Sequence, residues 1–71
     1  MPMLSNLRPI RESRMLSQVE LAQRAGVTQA TISRIETGQA ARFDTARKLA
    51  RALRVKPAAL VSPTNRASRL E

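Results

Sequence analysis

Four residues at helical spacing, Ala30, Ser33, Arg34 and Thr37, fall on one side of any helix drawn through residues 28–37, with Gln29 at its leading edge. Ile32 and Ile35 take the opposite side. The polar side carries a single charge, Arg34, among neutral groups that donate and accept hydrogen bonds. That is the chemistry of base-edge reading. A glutamine such as Gln29 can pair in two-point fashion with adenine, an arginine such as Arg34 with guanine, and the methyl of Ala30 can lie against a thymine methyl. An ordinary solvated helix face has similar composition, so the charge of the whole chain matters. Thirteen Lys and Arg stand against five Asp and Glu, a net +8. Eleven of the thirteen are arginine, whose planar fork matches phosphate and base edges better than the point charge of lysine. Gln18 and Gln29 each follow directly on a candidate N-cap, Ser17 and Thr28, and helix N-termini offer N–H groups and a positive dipole to phosphate.

Other chemistries lack their residues. The chain has no cysteine and no histidine. Disulfides, thiolate metal sites, cysteine nucleophiles, the usual general base and most zinc sites go with them. The five acids are scattered, so no nucleophile–base pair is readable, and neither enzymatic activity nor a cofactor or metal is expected. Phe43 is the one aromatic residue, too few for a stacking platform on single-stranded nucleic acid. No stretch approaches the roughly 20 apolar residues of a membrane span. The opening residues MPMLSNLRPIRES lack the apolar run of a secretory signal, so the cytosol is the expected compartment. A chain this basic should seek a polyanion. Its helices carry no surplus face of large apolar residues for a membrane surface, which leaves nucleic acid.

The 71 residues make one small domain. Its stability should be about 4–10 kcal/mol, from roughly 0.05–0.15 kcal/mol per residue. Residues 1–4 read as a lead-in, with Leu4 able to staple onto a core. Residues 5–61 read as the domain, and 62–71, polar and carrying Pro63, as a flexible tail. No alternating strand pattern occurs, so the expected class is all-α. A first helix is predicted over 6–14, with Leu7, Ile10, Arg11 and Arg14 on one face and Pro9 harmless in the first turn. A second starts sharply at the capping box Ser17/Glu20 and stops at Gly26, whose positive φ suits a helix end. A third runs from Thr28 to Gly38. A fourth spans 44–53, with Ala46, Leu49, Ala50 and Leu53 inward and Arg47, Lys48, Arg51 and Arg54 outward as a solvated basic face. A short fifth covers 57–61 behind Pro57, with Leu60 closing the core.

Helices two and three, joined by a tight turn with small Ala22 and Ala25 inside, have the form of a helix-turn-helix. Four segments extend the likeness: LRxxR (Leu7, Arg8, Arg11), LSQxELA (Leu16 to Ala22), GVTQxTISRIExG (Gly26 to Gly38) and DTxxKLAxAL (Asp44 to Leu53). Together they resemble the Cro/C1-type (XRE) helix-turn-helix family over about residues 5–61. The resemblance implies a compact five-helix bundle of the phage-repressor type. It implies a repressor-like transcriptional regulator of double-stranded DNA that inserts helix 28–37 in the major groove, as a homodimer on a palindrome. Base contacts would fall to Gln29, Ala30, Ser33 and Arg34. In the phage repressors the first glutamine contacts phosphate and braces the second, a role carried here by Gln18. Thr28, Thr37, Gln39 and Arg42 are the further phosphate candidates, with Arg8 and Arg24 behind them. The resemblance also pairs Arg11 with Glu36 in a partly buried salt bridge of structural purpose. Met15 and Arg54 stand where the family often has glycine; a left-handed backbone there costs roughly 1–2 kcal/mol.

The apolar end around Phe43, Leu60 and Val61 is either a dimer interface or the closure of the monomer core. A different job for the same fold is also readable: a protein-interaction module, such as an antitoxin or antiactivator holding a partner protein, onto which the tail from Ser62 would fold.

Overall fold

A computed structural model describes residues 2–61 of the chain, and among these residues there are five helices and no strand. They are α1 (Leu7–Ser13), α2 (Gln18–Ala25), α3 (Gln29–Glu36), α4 (Phe43–Leu53) and α5 (Pro57–Leu60). Each boundary lies within a residue or so of the expected one. The tail expected over 62–71 lies outside the described residues.

Local chemistry accounts for the ends. The Ser17 hydroxyl accepts from the Glu20 N–H at 3.0 Å, and the Glu20 carboxylate accepts from the Ser17 N–H at 2.8 Å, a complete capping box. The Thr28 hydroxyl accepts from the Thr31 N–H at 3.1 Å and starts α3. Four helices stop in the same way, each with an N–H bonded to the carbonyl five residues back. The bonds run from Leu16 to Arg11 (3.3 Å), Val27 to Ala22, Gln39 to Arg34 and Val55 to Ala50 (3.0 Å each). Such a stop needs a residue with positive φ. Gly26 and Gly38 supply two of them, while Met15 (φ 60°) and Arg54 (φ 61°) hold the same turn without glycine.

The core draws on every helix. Leu7, Leu21, Ile32, Leu49, Leu53 and Leu60 are its largest fully buried side chains, each contributing about 1.5–3 kcal/mol by leaving water. α4 packs on α2 and α5, α2 on α3, and α1 on α3. The four inward residues predicted for α4 are all buried, and its basic row is exposed.

Leu4 does staple onto the core: it is buried there, and the Pro2 carbonyl accepts from the Ala41 N–H at 2.8 Å. The chain start is thereby stitched to the segment between α3 and α4. Two expectations need correction. Arg14 is not an inward residue of α1. It is exposed, and its Nε donates to the Leu53 carbonyl at 2.9 Å, placing a cation at the C-terminal end of α4 where the helix dipole favours one. Leu60 does not line a dimer interface. It is 0% exposed, so its side chain has no surface to offer a partner.

Candidate nucleic-acid interface

α3 is apolar underneath and polar outside. Ile32 and Ile35 are buried, Gln29, Ala30 and Arg34 are exposed, and Ser33 is half-buried. Ser33 therefore has less reach than its three neighbours. The Thr28 and Thr31 hydroxyls lie 2.8 Å apart. One proton is used between them, so the other hydroxyl still has an O–H for an anion. The Thr37 hydroxyl donates to the Arg34 carbonyl at 2.9 Å and ties the helix end, which leaves its lone pairs rather than its proton outward. Gln39 and Arg42, from the segment after α3, are exposed. With Arg34 and Thr45 they line one open groove of about 500 Å³ between α3 and the start of α4. Two arginines meet there beside the first turn of a helix, an arrangement suited to a phosphate. Thr45 is a groove residue that sequence reasoning did not single out; no local pattern marks it, because only the approach of α4 to α3 brings it there.

Behind the outer face of α3 lies a polar chain. Arg11 Nε donates to Glu36 Oε2 at 2.7 Å and Arg11 Nη2 to Glu36 Oε1 at 3.0 Å, a two-point ion pair. Arg11 Nη1 donates to the Leu16 carbonyl at 2.7 Å. The Glu36 side chain is only 4% exposed. Burial pushes its carboxyl up, but the hydrogen bonds from Arg11 and Gln18 and the nearby positive charge outweigh that and hold it below its ordinary value. Arg11 is held more firmly protonated by the same bond. Every buried side-chain nitrogen and oxygen among the described residues has a partner. The ion pair thus meets the condition on which a buried charge is tolerable. It joins α1 to α3 across the bundle.

Gln18 extends the chain to the surface. Its Nε2 donates to Glu36 Oε1 at 3.0 Å, and its Oε1 accepts from Gln29 Nε2 at 3.3 Å, the long end of a hydrogen bond. The two glutamines set by the two N-caps are therefore in contact across the turn. The link from Gln18 to Glu36 escaped the sequence reading. Spacing gives no sign of it, since the two are 18 positions apart on different helices.

A helix-turn-helix family model matches residues 7–60, which takes in all five helices. The chain belongs to the Cro/C1-type helix-turn-helix (XRE) family. Solved structures of regulators superpose on it. The restriction-modification controller protein C.AhdI from Aeromonas hydrophila is similar with a TM-score of 0.76 at 30% identity, over 82% of this chain and 89% of that one. The hypothetical transcription factor NHTF from Neisseria is similar with a TM-score of 0.77 at 27% identity, over 96% of this chain and 79% of that one. No curated protein sequence matches the chain. Within the family frame, α2 and α3 are the helix-turn-helix pair, and the outer face of α3 is exposed at Gln29, Ala30 and Arg34. The two departures from the family's glycines, Met15 and Arg54, are the two non-glycine residues of positive φ among those described.

Proposed function

We propose that this protein is a sequence-specific transcriptional regulator that reads double-stranded DNA with α3 in the major groove. The observation that carries the reading is the joined pair Gln18–Gln29 at the N-terminus of an otherwise uncharged outer face ending in Arg34. Gln29, Ala30 and Arg34 make base contacts, with Ser33 at closer range. Gln18, Thr28, Thr37, Gln39 and Arg42 contact phosphate. Phosphate contacts set register and salt dependence, and base contacts set sequence. Family membership and the likeness to a restriction-modification controller and a transcription factor support this reading over an enzymatic one.

A single module of this size covers too little DNA for high specificity, so the protein acts as a homodimer on a palindrome with half-sites about one helical turn apart. The surface that fits this role is the mostly apolar groove of about 240 Å³ lined by Pro2, Phe43, Ala46, Pro57 and Val61 together with Arg47. Phe43, 62% exposed, stands at its edge.

Selection from a pool of randomised duplexes at about 150 mM salt tests the reading. Anisotropy of the enriched duplex against a shuffled one follows, from about 50 to 200 mM salt. The enriched duplex should bind at least ~100-fold tighter at the higher salt. Gln29→Ala and Arg34→Ala should each abolish most of that preference while the fold, read by circular dichroism, persists. Absence of any enriched sequence refutes the reading. The interaction-module alternative then takes its place, and its partner binding would survive both substitutions.

A further inference from the structure

The polar chain behind α3 has a direction, and its direction is set from the core outward. Glu36 is ionised and nearly buried, and an ionised carboxylate only accepts hydrogen bonds. The end of the Gln18 amide that faces it must therefore be the NH2 group, at 3.0 Å. The reverse orientation would set two acceptor oxygens against each other beside a buried negative charge. Gln18 Oε1 must then point away from the core, toward Gln29, and an oxygen there can only be met by a donor. Gln29 meets it with Nε2 at 3.3 Å. One N–H of Gln29 is thus committed inward. What remains for a ligand is one N–H and one carbonyl oxygen, a donor and an acceptor side by side. Adenine presents N6–H2 and N7, the complementary pair, on its major-groove edge. Guanine presents O6 and N7, two acceptors, against which the Gln29 oxygen is repelled.

We infer that Glu36 is a positioning residue for base recognition: through Gln18 it fixes the polarity of the Gln29 amide and so selects adenine over guanine at the base that Gln29 meets. The inference rests on the reading that α3 contacts DNA. It gives the Glu36 carboxylate a second role beside holding α1 to α3, and the two roles separate by experiment. A purely structural Glu36 changes affinity for all duplexes alike. A positioning Glu36 changes the ratio of affinities at one base pair and leaves the other positions alone.

The experiment uses the full chain and the duplex it enriches from the randomised pool. Gln29→Ala first identifies the base pair whose preference it relaxes. At that pair the wild type should prefer adenine to guanine by at least ~10-fold. Glu36→Gln, isosteric but able to present either a donor or an acceptor to Gln18, should reduce the ratio below about threefold while preferences elsewhere in the site persist. Arg11→Lys loosens the two-point fork yet keeps the carboxylate ionised beside a cation, so it should retain the wild-type ratio even if overall affinity falls. Gln18→Ala leaves the Arg11–Glu36 pair in place and cuts the link, so it should lower the ratio to the level of Glu36→Gln; it also carries the test if Glu36→Gln proves unfolded by circular dichroism. A wild-type ratio in Glu36→Gln or in Gln18→Ala overturns the inference while leaving the DNA reading intact. So does a base other than adenine at the position that Gln29→Ala relaxes. If the wild type enriches no sequence, both fall together.

Discussion

Met15→Gly should make this protein more stable. Met15 ends α1 at φ 60°, in the left-handed region. A residue with a Cβ is disfavoured there by roughly 1–2 kcal/mol, because the Cβ approaches the following carbonyl oxygen. Glycine relieves that strain. Against this stands glycine's greater freedom in the unfolded chain, about 0.4–1 kcal/mol. The side chain itself contributes little, being 87% exposed, so its deletion forfeits almost no burial. The backbone bonds of the turn, Met15 N–H to the Glu12 carbonyl (2.9 Å) and Leu16 N–H to the Arg11 carbonyl (3.3 Å), need no side chain and persist. The net gain is on the order of 0.5–1 kcal/mol. For a domain of this size that raises Tm by about 2–8 °C, since 1 kcal/mol corresponds to roughly 4–8 °C. Urea titration followed by circular dichroism should show a higher midpoint at unchanged slope. Met15→Ala is the control, because it removes the same side chain and keeps the Cβ; it should stay within about 0.5 kcal/mol of wild type. Equal stability of the glycine and alanine variants would refute the strain argument.

Four further outcomes follow from the same geometry. Ser17→Ala removes the hydroxyl that accepts from the Glu20 N–H, leaving only the bond from the backbone N–H of residue 17 to the Glu20 carboxylate, and should cost about 1 kcal/mol in urea titration; a loss under ~0.3 kcal/mol would mean that α2 does not depend on its cap. Leu60→Ala should cost about 2–5 kcal/mol, a large part of the total, as deletion from a filled core does. Phe43→Ala should leave monomer stability within about 0.5 kcal/mol and instead weaken self-association in sedimentation; a core-sized loss of stability at Phe43 would remove it from the surface. The Glu36 carboxyl is held below its ordinary value of 4.5 in the folded protein, so on acidification the unfolded chain takes up the proton first. Its stabilisation is complete above pH ~4.5 and is lost as pH falls through the lower native value. The stability difference between wild type and Glu36→Gln at pH 7 should therefore shrink toward pH 3, and a difference that widens on acidification would contradict the ion pair.

The parts of this protein that sequence determined are those governed by residues within one or two turns of each other. A capping box needs only Ser17 and Glu20, three positions apart. The inward face of α4 needs only Ala46, Leu49, Ala50 and Leu53 at helical spacing. The glycines at 26 and 38 announce their turns because few other residues tolerate positive φ. Family resemblance added Arg11 with Glu36 and marked Met15 and Arg54, which composition alone could not do. Tertiary structure decided the rest. Leu60 and Phe43 are equally apolar at the same end of the chain, and only the closing of α5 over the bundle buries one and exposes the other. Arg14 has helical spacing suited to the core, yet it finds a free carbonyl 39 residues away at the end of α4. Gln18 meets Glu36 because α2 and α3 cross closely enough for a buried carboxylate to find the amide and orient it. Such contacts leave no periodic trace in a sequence. Periodicity reports which face of a helix is apolar, whereas the partner of a polar group depends on how separate helices are placed in space.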